Sequence, residues 1–353
     1  MPLIRADLAL KHQAMSESAF RFLRATFYRW AQTFPRVCAD LMDAPQPLAI
    51  GDLHVENFGT WRDIEGRLIW GINDFDEACR LPYTVDLVRL ATSAHLAIDG
   101  EHLRLSKAQA SKAILDGYIA ALKAGGKAFV LAEHHAALRH AAVERLKEPE
   151  KFWQKLSSFR EITHTPPSAA LKGLRRMLPE EGLECRLCHR IAGTGSLGRR
   201  RYVALTQWRG ASIAREAKEL GDSAWKWDES PRYVGKIFYG KILDRAIRVP
   251  DPFVRLRGRW IVRRLAPDCS RIELSSLPEQ HDAVRLVHAM GWETANIHLG
   301  SFTPAILLRD IARRPANWLH AAAQDMVEST LEDWRDWRRI GKSKATFPTN
   351  ERK

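Results

Sequence analysis

Two short acidic segments, joined by a predicted hairpin, constrain the fold of this chain more than any other feature. The first runs from Ile50 to Asn57 and reads Ile-Gly-Asp-Leu-His-Val-Glu-Asn, and the second is Ile72–Asp76, Ile-Asn-Asp-Phe-Asp. Between them, Phe58–Trp61 and Arg67–Trp70 read as strands, and Asp63–Gly66 reads as the turn that connects them. A hairpin returns the chain to its starting point, so we expect the two acidic segments to lie side by side.

The residue types in these segments are typical of kinase-like phosphotransferases. An aspartate and an asparagine lie five residues apart, at Asp52 and Asn57, and a second aspartate, Asp74, follows between apolar residues. In phosphoryl transfer one aspartate accepts the proton of the acceptor hydroxyl, and an asparagine and a later aspartate hold magnesium against the nucleotide phosphates. The alternative is that Asp52 and Asn57 only stabilise a tight turn.

A glycine-rich segment, Gly193–Gly198, lies between two alternating runs that read as strands, Cys185–Ala192 and Tyr202–Trp208. Such a loop suits a nucleotide, because backbone amides must approach phosphates closely and a Cβ would obstruct them. The same glycine spacing in a dinucleotide-binding turn needs a helix directly after the loop, whereas Arg199–Val203 reads as a strand. Lys218 ends the next predicted strand, where a kinase places the lysine that pairs with the α- and β-phosphates.

The order of these segments differs from that of an ordinary kinase by a cyclic rotation. Kinases run from glycine loop and lysine through a hinge and helix to the catalytic loop, whereas here the catalytic loop comes first. Such a rotation is physically permissible because domain termini commonly lie near each other at the surface. It predicts that the helix preceding the catalytic loop lies near the C-terminus. His281–Leu299, with apolar residues at helical spacing, is the candidate.

Eight segments together carry a resemblance to a known family: Ser18–Arg24, Gly51–Gly59, Asn73–Glu77, Val85–Leu90, Gly193–Gly198, Lys218–Glu219, Val262–Leu265 and Gly291–His298. They resemble the bacterial domain of unknown function 2252, which is related to the protein-kinase-like and aminoglycoside phosphotransferase-like folds. The resemblance spans roughly residues 18–300. It implies an α+β, two-lobed, kinase-like fold with permuted element order, formed by a helix-rich lobe and a small antiparallel sheet lobe. It implies no known substrate.

The resemblance also implies a role for each matching position. Asp52 would be the catalytic base, Asn57 and Asp74 would bind Mg²⁺, and Lys218 would pair with the phosphates of ATP or another nucleoside triphosphate. The glycine loop would contact the same phosphates through four residues: Gly193, Gly195, Ser196 and Gly198.

Three further residues are expected to support the site: His54, Asp76 and Asp86. Asp86, at the start of a predicted helix, resembles the buried aspartate that holds the catalytic-loop backbone in related phosphotransferases. Two positions depart from the usual pattern. Ile50 stands where a histidine commonly opens the loop, and Asp76 stands where a glycine commonly follows Asp-Phe.

The acid that should pair with Lys218 is not evident. The predicted helix Arg232–Ile247 contains only Asp244, and Glu229 precedes it. This leaves two hypotheses, an ATP- and magnesium-dependent phosphotransferase acting on an unidentified hydroxyl, and a catalytically silent kinase-like module that binds a nucleotide or a partner. A carboxylate within reach of the Lys218 ammonium would favour the first.

Composition narrows the range of partners. The 353 residues are 45% apolar, enough to bury one large core or two joined lobes. Fifty-five basic and 42 acidic residues give a net charge of +13, which attracts phosphates in general. Without a recognised nucleic-acid module, the clusters Arg199–Arg201 and Arg255–Arg259 are interpreted as a solvated basic surface. We expect a nucleotide and a small-molecule or protein acceptor, and no nucleic acid.

The expected location is the cytoplasm. No apolar run approaches the roughly eighteen residues of a membrane span, and residues 1–7 lack the apolar stretch of a signal peptide. Five cysteines, an odd number, favour reduced thiols.

Four regions are predicted along the chain: a helical lobe (1–148), a connector (149–182), a sheet lobe (183–275) and C-terminal helices that return to the helical lobe (276–353). Apolar residues at helical spacing from Phe20 to Phe34 predict an amphipathic first helix that ends before Pro35. Ala128–Leu146 is predicted to be helical, and Trp260–Leu265 is predicted to add a strand to the sheet lobe.

Overall fold

The computed structural model describes residues 4–136, 138–140, 149–226, 236–269 and 280–345. These residues form a mixed helix and sheet fold, in agreement with the predicted α+β class. The helices are α1 (Arg5–Glu17), α2 (Ala19–Ala25), α3 (Phe27–Val37), α4 (Tyr83–Asp99), α5 (Lys107–Ala124), α6 (Pro149–Ser157), α7 (Ser168–Arg176), α8 (Tyr239–Arg245), α9 (Gln280–Leu299), α10 (Pro304–Arg313) and α11 (Trp318–Ala345). The strands are β1 (Leu48–Ala49), β2 (Phe58–Arg62), β3 (Leu68–Ile72), β4 (Cys79–Arg80), β5 (Phe129–Val130), β6 (Arg186–His189), β7 (Arg201–Trp208), β8 (Ala211–Glu219), β9 (Val254–Arg257) and β10 (Trp260–Leu265).

The predicted first helix is two helices, α2 and α3, and its predicted end before Pro35 is wrong. Thr26 takes φ −128° and ψ 43°, which lies outside the helical region and separates α2 from α3. Its hydroxyl donates to the Phe22 carbonyl at 2.7 Å. Pro35 lies inside α3. The apolar stripe from Phe20 to Phe34 is buried as predicted, and its spacing continues through the break, so the sequence pattern contained no signal for it.

The predicted hairpin is confirmed. Strands β2 and β3 pair antiparallel, with Phe58 opposite Ile72, and Asp63 closes the turn by accepting the Arg67 amide at 2.8 Å. The predicted helix from Ala128 is wrong at its start, because β5 pairs there with β3. Its Phe129 ring lies 5.0 Å from the Trp70 ring. Part of that predicted helix, residue 137 and residues 141–146, lies outside the described residues.

Helices α4, α5 and α9 form the centre of the helical part. The predicted helix near the C-terminus is confirmed as α9, which packs along α5. Two glycines make this contact close. A Cβ at Gly117 would overlap the His288 carbonyl oxygen, and a Cβ at Gly291 would overlap that of Ile114. The backbones of α5 and α9 therefore touch without intervening side chains.

The sheet is antiparallel and five-stranded, in the order β6-β7-β8-β10-β9. The predicted strand Trp260–Leu265 is confirmed as β10. The glycine loop joins β6 to β7, and the element after it is a strand, as predicted. This excludes the dinucleotide-binding turn, which needs a helix there. Lys218 lies opposite Arg201 of β7 and Ile261 of β10, which places it in the interior of the sheet.

Residues 149–182, predicted to be a connector, contain α6 and α7, and these helices cover the two faces of the sheet. Leu156 of α6 packs against Val203, whereas Leu174 of α7 packs against Tyr202 and Ala204. Successive strand residues point to opposite faces, so the two helices lie on opposite sides. The segment is therefore part of the sheet's own packing.

Helix α11 packs against the first three helices. Trp334 donates its ring N–H to the Met15 carbonyl at 2.9 Å, and Arg29 pairs with Asp333 at 2.7 Å. In the part of the chain that the structure describes, no helix is long and apolar enough to cross a membrane.

Candidate functional site

A cavity of about 230 Å³ lies where the helical part meets the sheet, and we name it the catalytic-loop cavity. Asp52 and Asn57 line it from the loop after β1, and Asp74 lines it from the turn after β3. The glycine loop, Gly193–Leu197, lines the same cavity. The fold thus brings together three groups of predicted residues that are far apart along the chain.

The catalytic loop is held by Asp86 at the start of α4. The Asp86 carboxylate accepts the Ile50 and Gly51 amides, each at 2.8 Å. His298 of α9 contacts the same carboxylate at 3.0 Å. The three residues Asp86, Ile50 and His298 are buried, so the loop is positioned by a dry hydrogen-bonded network, and Asp86 stands where the sequence placed a supporting carboxylate.

Asn57 also organises the loop locally. Its side-chain oxygen accepts a hydrogen bond from the His54 backbone amide at 2.7 Å, and its backbone amide donates to the His54 carbonyl at 2.9 Å. The Nδ1 atom of His54 in turn accepts the Glu56 amide at 3.2 Å. The turn-stabilising function of Asn57 is therefore present. An amide oxygen has two lone pairs, so this hydrogen bond leaves one for a ligand in the cavity.

Asp52 is bound by Arg89, a residue that the sequence analysis missed. Arg89, on α4, is fully buried and donates through Nε to Asp52 Oδ1 at 3.0 Å and through Nη2 to both Asp52 and the Leu23 carbonyl. Its guanidinium lies over the rings of Phe27 and Trp30, at 5.1 and 5.0 Å. A basic residue among the apolar residues of the helix predicted to start at Asp86 was the available signal.

Burial controls the protonation of Asp52. Removal from water raises the pKa of Asp52 to about 6, although the Arg89 guanidinium lowers it. The carboxylate is therefore ionised near neutral pH and close enough to its pKa to exchange a proton. This is the range in which general bases are effective.

Lys218 contacts two carboxylates, those of Asp74 and Asp76. Its ammonium lies 3.2 Å from Asp74 and forms an ion pair with Asp76. This corrects the expectation that no acid partner is evident: Asp76, at the position where a glycine is common, supplies one. Asp244 is exposed. Glu229 lies outside the described residues, as do residues 232–235 of the predicted helix Arg232–Ile247, and in the described remainder the helix is α8, Tyr239–Arg245.

The two carboxylates differ in protonation. Burial by itself would raise the pKa of Asp74, but Lys218 lowers it well below its usual range. Burial and the neighbouring Asp74 charge raise the pKa of Asp76 to about 7. Arg199 contacts this group too, at 3.8 Å from Asp76 and 3.2 Å from Glu77. Asp74 is thus a permanent anion on the cavity wall, and Asp76 joins Lys218 to Arg199.

The glycine loop approaches the catalytic loop closely at Gly195. A Cβ there would lie 2.9 Å from the Arg24 carbonyl oxygen and 3.4 Å from the Asp52 carboxylate. Gly193 takes φ +74°, a conformation that favours glycine. Ser196 accepts a hydrogen bond from Arg201 at 2.7 Å.

Helix α1 holds the outer side of this loop. Lys11 donates to the Gly195 carbonyl at 3.3 Å, and the Ile4 amide donates to the Gly198 carbonyl at 3.0 Å. Of the predicted nucleotide-contacting residues, Gly193, Gly195 and Ser196 line the catalytic-loop cavity, whereas Gly198 and the buried Lys218 do not. Lys11 lines it too, and nothing in the sequence pattern indicated that helix α1 would reach the loop.

The residues present fit a magnesium ion held partly by a substrate. In the described residues no group of three His, Cys, Asp or Glu side chains could hold a metal by itself. Mg²⁺ commonly takes one or two protein carboxylates and completes its shell with phosphate oxygens and water. Asp74, which is ionised, and Asn57 line the same cavity. The Asp74 carboxylate and the second lone pair of the Asn57 side-chain oxygen are the protein ligands available for such a shell.

Comparison with known proteins covers the first part of the site. The model of a family described as an uncharacterized protein conserved in bacteria, domain of unknown function 2252, matches residues 3–163. The matched segment includes Asp52, Asn57, Asp74 and Asp86, and it ends before the glycine loop and Lys218. It is shorter than the expected resemblance over residues 18–300. No curated protein and no solved structure matches the chain.

Proposed function

We propose that this protein is a kinase-like phosphotransferase that uses ATP, or another nucleoside triphosphate, and Mg²⁺ to phosphorylate a hydroxyl on an unidentified acceptor. One observation carries the proposal. Asp52, Asn57, Asp74 and the glycine loop line a single cavity, and Lys218, which lies buried behind Asp74, forms an ion pair with it. These are the groups that phosphoryl transfer requires, namely a base, metal ligands and cations for phosphates.

Each residue has a distinct part in the proposed reaction. Asp52 orients the acceptor hydroxyl and takes its proton, because its pKa of about 6 leaves it ionised near neutral pH. Asn57 and Asp74 hold Mg²⁺, which when bound neutralises charge on the phosphate oxygens. Lys218 and the amides around Gly195 position the phosphates. Most of the rate enhancement would come from positioning and charge stabilisation.

The kinase-like relationship and the rotated element order are part of the same proposal. Helix α9 contacts Asp86 through His298, so a C-terminal helix supports the catalytic loop, as a cyclic rotation of a kinase fold would require. Strands β6, β7 and β8 with the glycine loop and Lys218 supply the nucleotide-binding part. The proposal extends the family relationship from residues 3–163 to the whole chain.

A second function, that of a catalytically silent nucleotide-binding module, is favoured by one observation. The predicted base is bound by Arg89 through two guanidinium nitrogens, and Arg89 is fully buried, so this ion pair restrains Asp52. The Lys218 contacts with Asp74 and Asp76 support the phosphotransferase instead, since they meet the requirement for a carboxylate near that ammonium.

Thermal unfolding with and without ATP and Mg²⁺ tests the nucleotide site. A ligand that binds the native state raises the unfolding midpoint by mass action. We expect wild-type protein to be stabilised by ATP with Mg²⁺, and Asp74→Ala to lose the magnesium-dependent part. The matched control is Asp116→Ala, which removes an exposed surface carboxylate on α5.

The outcomes separate the two functions. A magnesium-dependent rise that Asp74→Ala loses and Asp116→Ala retains supports the phosphotransferase and justifies a screen of hydroxyl acceptors. A rise that does not depend on Mg²⁺ supports the silent module. The absence of any rise at millimolar nucleotide would exclude a working nucleotide site.

A further inference from the structure

A second cavity, of about 410 Å³, adjoins the catalytic-loop cavity, because Asp74 and Gly193 line both. We name it the arginine cavity for its six basic lining residues: Lys155, Arg190, Arg201, Arg248, Arg263 and Arg264. Its walls come from the sheet, from α6 and from the β2–β3 hairpin. The proposed function assigns no role to these six residues.

Three of the arginines share one carboxylate. Glu216, fully buried on β8, accepts from Arg263 at 2.7 Å and from Arg201 at 3.1 Å, and it also pairs with Arg190. Burial by itself would raise the pKa of Glu216, but the three guanidinium groups hold it well below its usual range. Glu216 is therefore ionised, and it cancels one of three positive charges.

Among the described residues, other acids do not balance the remaining charge. The described acidic residues that line the arginine cavity are Asp74 and Asp251. Asp74 is already paired with Lys218. Asp268 lies 3.9 Å from Arg264, but it is shared with Arg62 at 2.9 Å. Even when Glu216 and Asp268 are both counted, basic side chains outnumber acidic ones by two. Positive charge that is withdrawn from water without a partner is unfavourable, so an anion in this cavity would be stabilised.

The catalytic-loop cavity does not have this imbalance. Arg24 pairs with Glu56 at 2.7 Å, and Arg199 pairs with Glu77 at 3.2 Å. Its guanidinium groups are therefore matched by carboxylates, although both cavities contain arginine. The excess positive charge therefore distinguishes the arginine cavity from the catalytic-loop cavity.

Two of its arginines keep unused hydrogen-bond donors. Arg248 lies over the rings of Trp61 and Phe75, at 4.6 and 5.2 Å, and Arg264 lies 4.4 Å from the Phe253 ring. Within the described residues, the Nε atoms of both arginines are buried and have no hydrogen-bond partner. Aromatic contacts orient these guanidinium groups, and guanidinium donors match the oxygens of phosphate.

We propose that the arginine cavity is a phosphate-binding site that takes a phosphate or pyrophosphate group. The group can belong to a nucleotide whose polyphosphate extends from the catalytic-loop cavity past Asp74 into the arginine cavity. It can also belong to a separate phosphorylated ligand, such as a phosphate-bearing acceptor. The chemistry is the same in both cases. The proposal does not rest on the proposed function, because the charge excess exists whether or not the catalytic loop is active.

Calorimetric titration with inorganic pyrophosphate, without nucleotide or Mg²⁺, tests the site. We expect wild-type protein to bind, and Arg263→Gln to weaken binding at least about tenfold, the effect of one lost charge-assisted hydrogen bond. Because Arg263 also contacts Glu216, thermal unfolding is used to check that the Arg263→Gln variant is folded. Lys155→Gln changes an exposed side chain and should weaken binding about threefold.

The matched control is Lys123→Gln, which removes the same charge from an exposed lysine of α5 that lines neither this cavity nor the catalytic-loop cavity. Its pyrophosphate affinity should stay at the wild-type value. No binding by wild-type protein at millimolar pyrophosphate overturns the proposal. It is also overturned if Lys123→Gln weakens binding as much as Lys155→Gln, since the attraction would then be a property of the net charge.

A parallel titration with ATP and Mg²⁺ identifies the source of the phosphate. If Arg263→Gln weakens ATP and pyrophosphate binding in the same proportion, the nucleotide supplies the group. If it weakens pyrophosphate binding alone, a separate ligand supplies it. Both results support the site. Pyrophosphate binding without any ATP binding would disprove the proposed function and leave the arginine cavity in place.

Discussion

At the scale of single residues, the ion pair with the buried Arg89 restrains Asp52, the proposed base. Arg89 is fixed by the Leu23 carbonyl and by the rings of Phe27 and Trp30. The Arg89 guanidinium is therefore held in one position, and it orients the Asp52 carboxylate from there. Burial nevertheless raises the pKa of Asp52 to about 6, so orientation and a near-neutral pKa coexist.

Asp52→Ala should lower turnover on an identified acceptor at least about a hundredfold, because general base catalysis contributes that much or more. A base acts in its ionised form, so wild-type activity should rise with pH through about 6, the pKa of Asp52. Steady-state rates between about pH 5 and about pH 8 measure both effects.

The control for this change is nucleotide affinity, since Asp52 is assigned to the acceptor and not to the nucleotide. The folded Asp52→Ala variant should retain ATP binding. Thermal unfolding measures how much stability is lost when Arg89 has no carboxylate partner. Full activity in Asp52→Ala would show that the base is another group.

Gly195→Val should weaken ATP binding at least about tenfold, measured by calorimetric titration. A Cβ at Gly195 would lie 2.9 Å from the Arg24 carbonyl oxygen, tighter than ordinary contact, so the loop must shift and the backbone amides assigned to the phosphates are displaced. Thr194→Val, in the same loop, adds no bulk and should bind ATP as the wild type does. Unchanged affinity in a folded Gly195→Val would argue against the loop as a phosphate site.

At the scale of elements, the contact between α5 and α9 decides how firmly the catalytic loop is supported. His298 of α9 contacts Asp86, and Glu293 of the same helix accepts the Ile72 amide at 3.3 Å, two residues before Asp74. Both halves of the site therefore depend on where α9 lies. That position is set by the close approach of two helices at Gly117 and Gly291.

Gly117→Ala should lower the free energy of unfolding by about 1–3 kcal/mol, the usual cost of overpacking. The new methyl would overlap the His288 carbonyl, which is backbone and cannot rotate away. Denaturant unfolding measures the change.

Gly240→Ala is the matched control for this substitution. Gly240 also lies in a helix, α8, but its Cβ would meet Leu256 at 3.5 Å, an ordinary contact. The higher helix propensity of alanine should therefore leave stability equal or raise it by up to about 1 kcal/mol. Equal losses in both variants would show that the α5–α9 contact is not unusually tight.

At the scale of the whole molecule, a buried carboxyl should make stability depend on pH. Glu293 is 1% exposed, and burial raises its pKa to about 7 from an ordinary value of 4.5. The folded state then binds the proton more tightly than the unfolded chain. This stabilisation is complete below about pH 4.5 and is lost as pH rises to about 7, a change of about 3 kcal/mol.

Glu293→Gln should remove the part of the pH dependence that Glu293 contributes, because its amide does not titrate, and the parts from Asp52 and Asp76 stay in both proteins. Urea unfolding at about pH 5 and about pH 7.5 measures the free energy of unfolding in each variant. Glu328→Gln, on the exposed side of α11, should behave as the wild type does. An equal pH dependence in wild type and Glu293→Gln would place the pKa of Glu293 near its ordinary value.

The whole fold also explains why some residues were predictable and others were not. Asp52, Asn57, Asp74 and the glycine loop were found because their chemistry demands particular residue types at short spacings. Their convergence on one cavity agrees with that pattern, and their roles remain predictions. Arg89 lies in a helix whose residues are nearly all buried, and no local spacing distinguishes it from a residue of the core.

The sequence by itself determined the features that depend on near neighbours: the hairpin, the strand after the glycine loop, the helix α9 and the presence of an acidic loop. These follow from backbone propensity, periodicity and turn chemistry, which act over a few residues. Only the tertiary structure decided which charges meet. Asp76 reaches Lys218, and three arginines share Glu216, because the sheet and the helical part pack together. Electrostatic partners are chosen by distance in space, and that distance is set by the whole packed molecule.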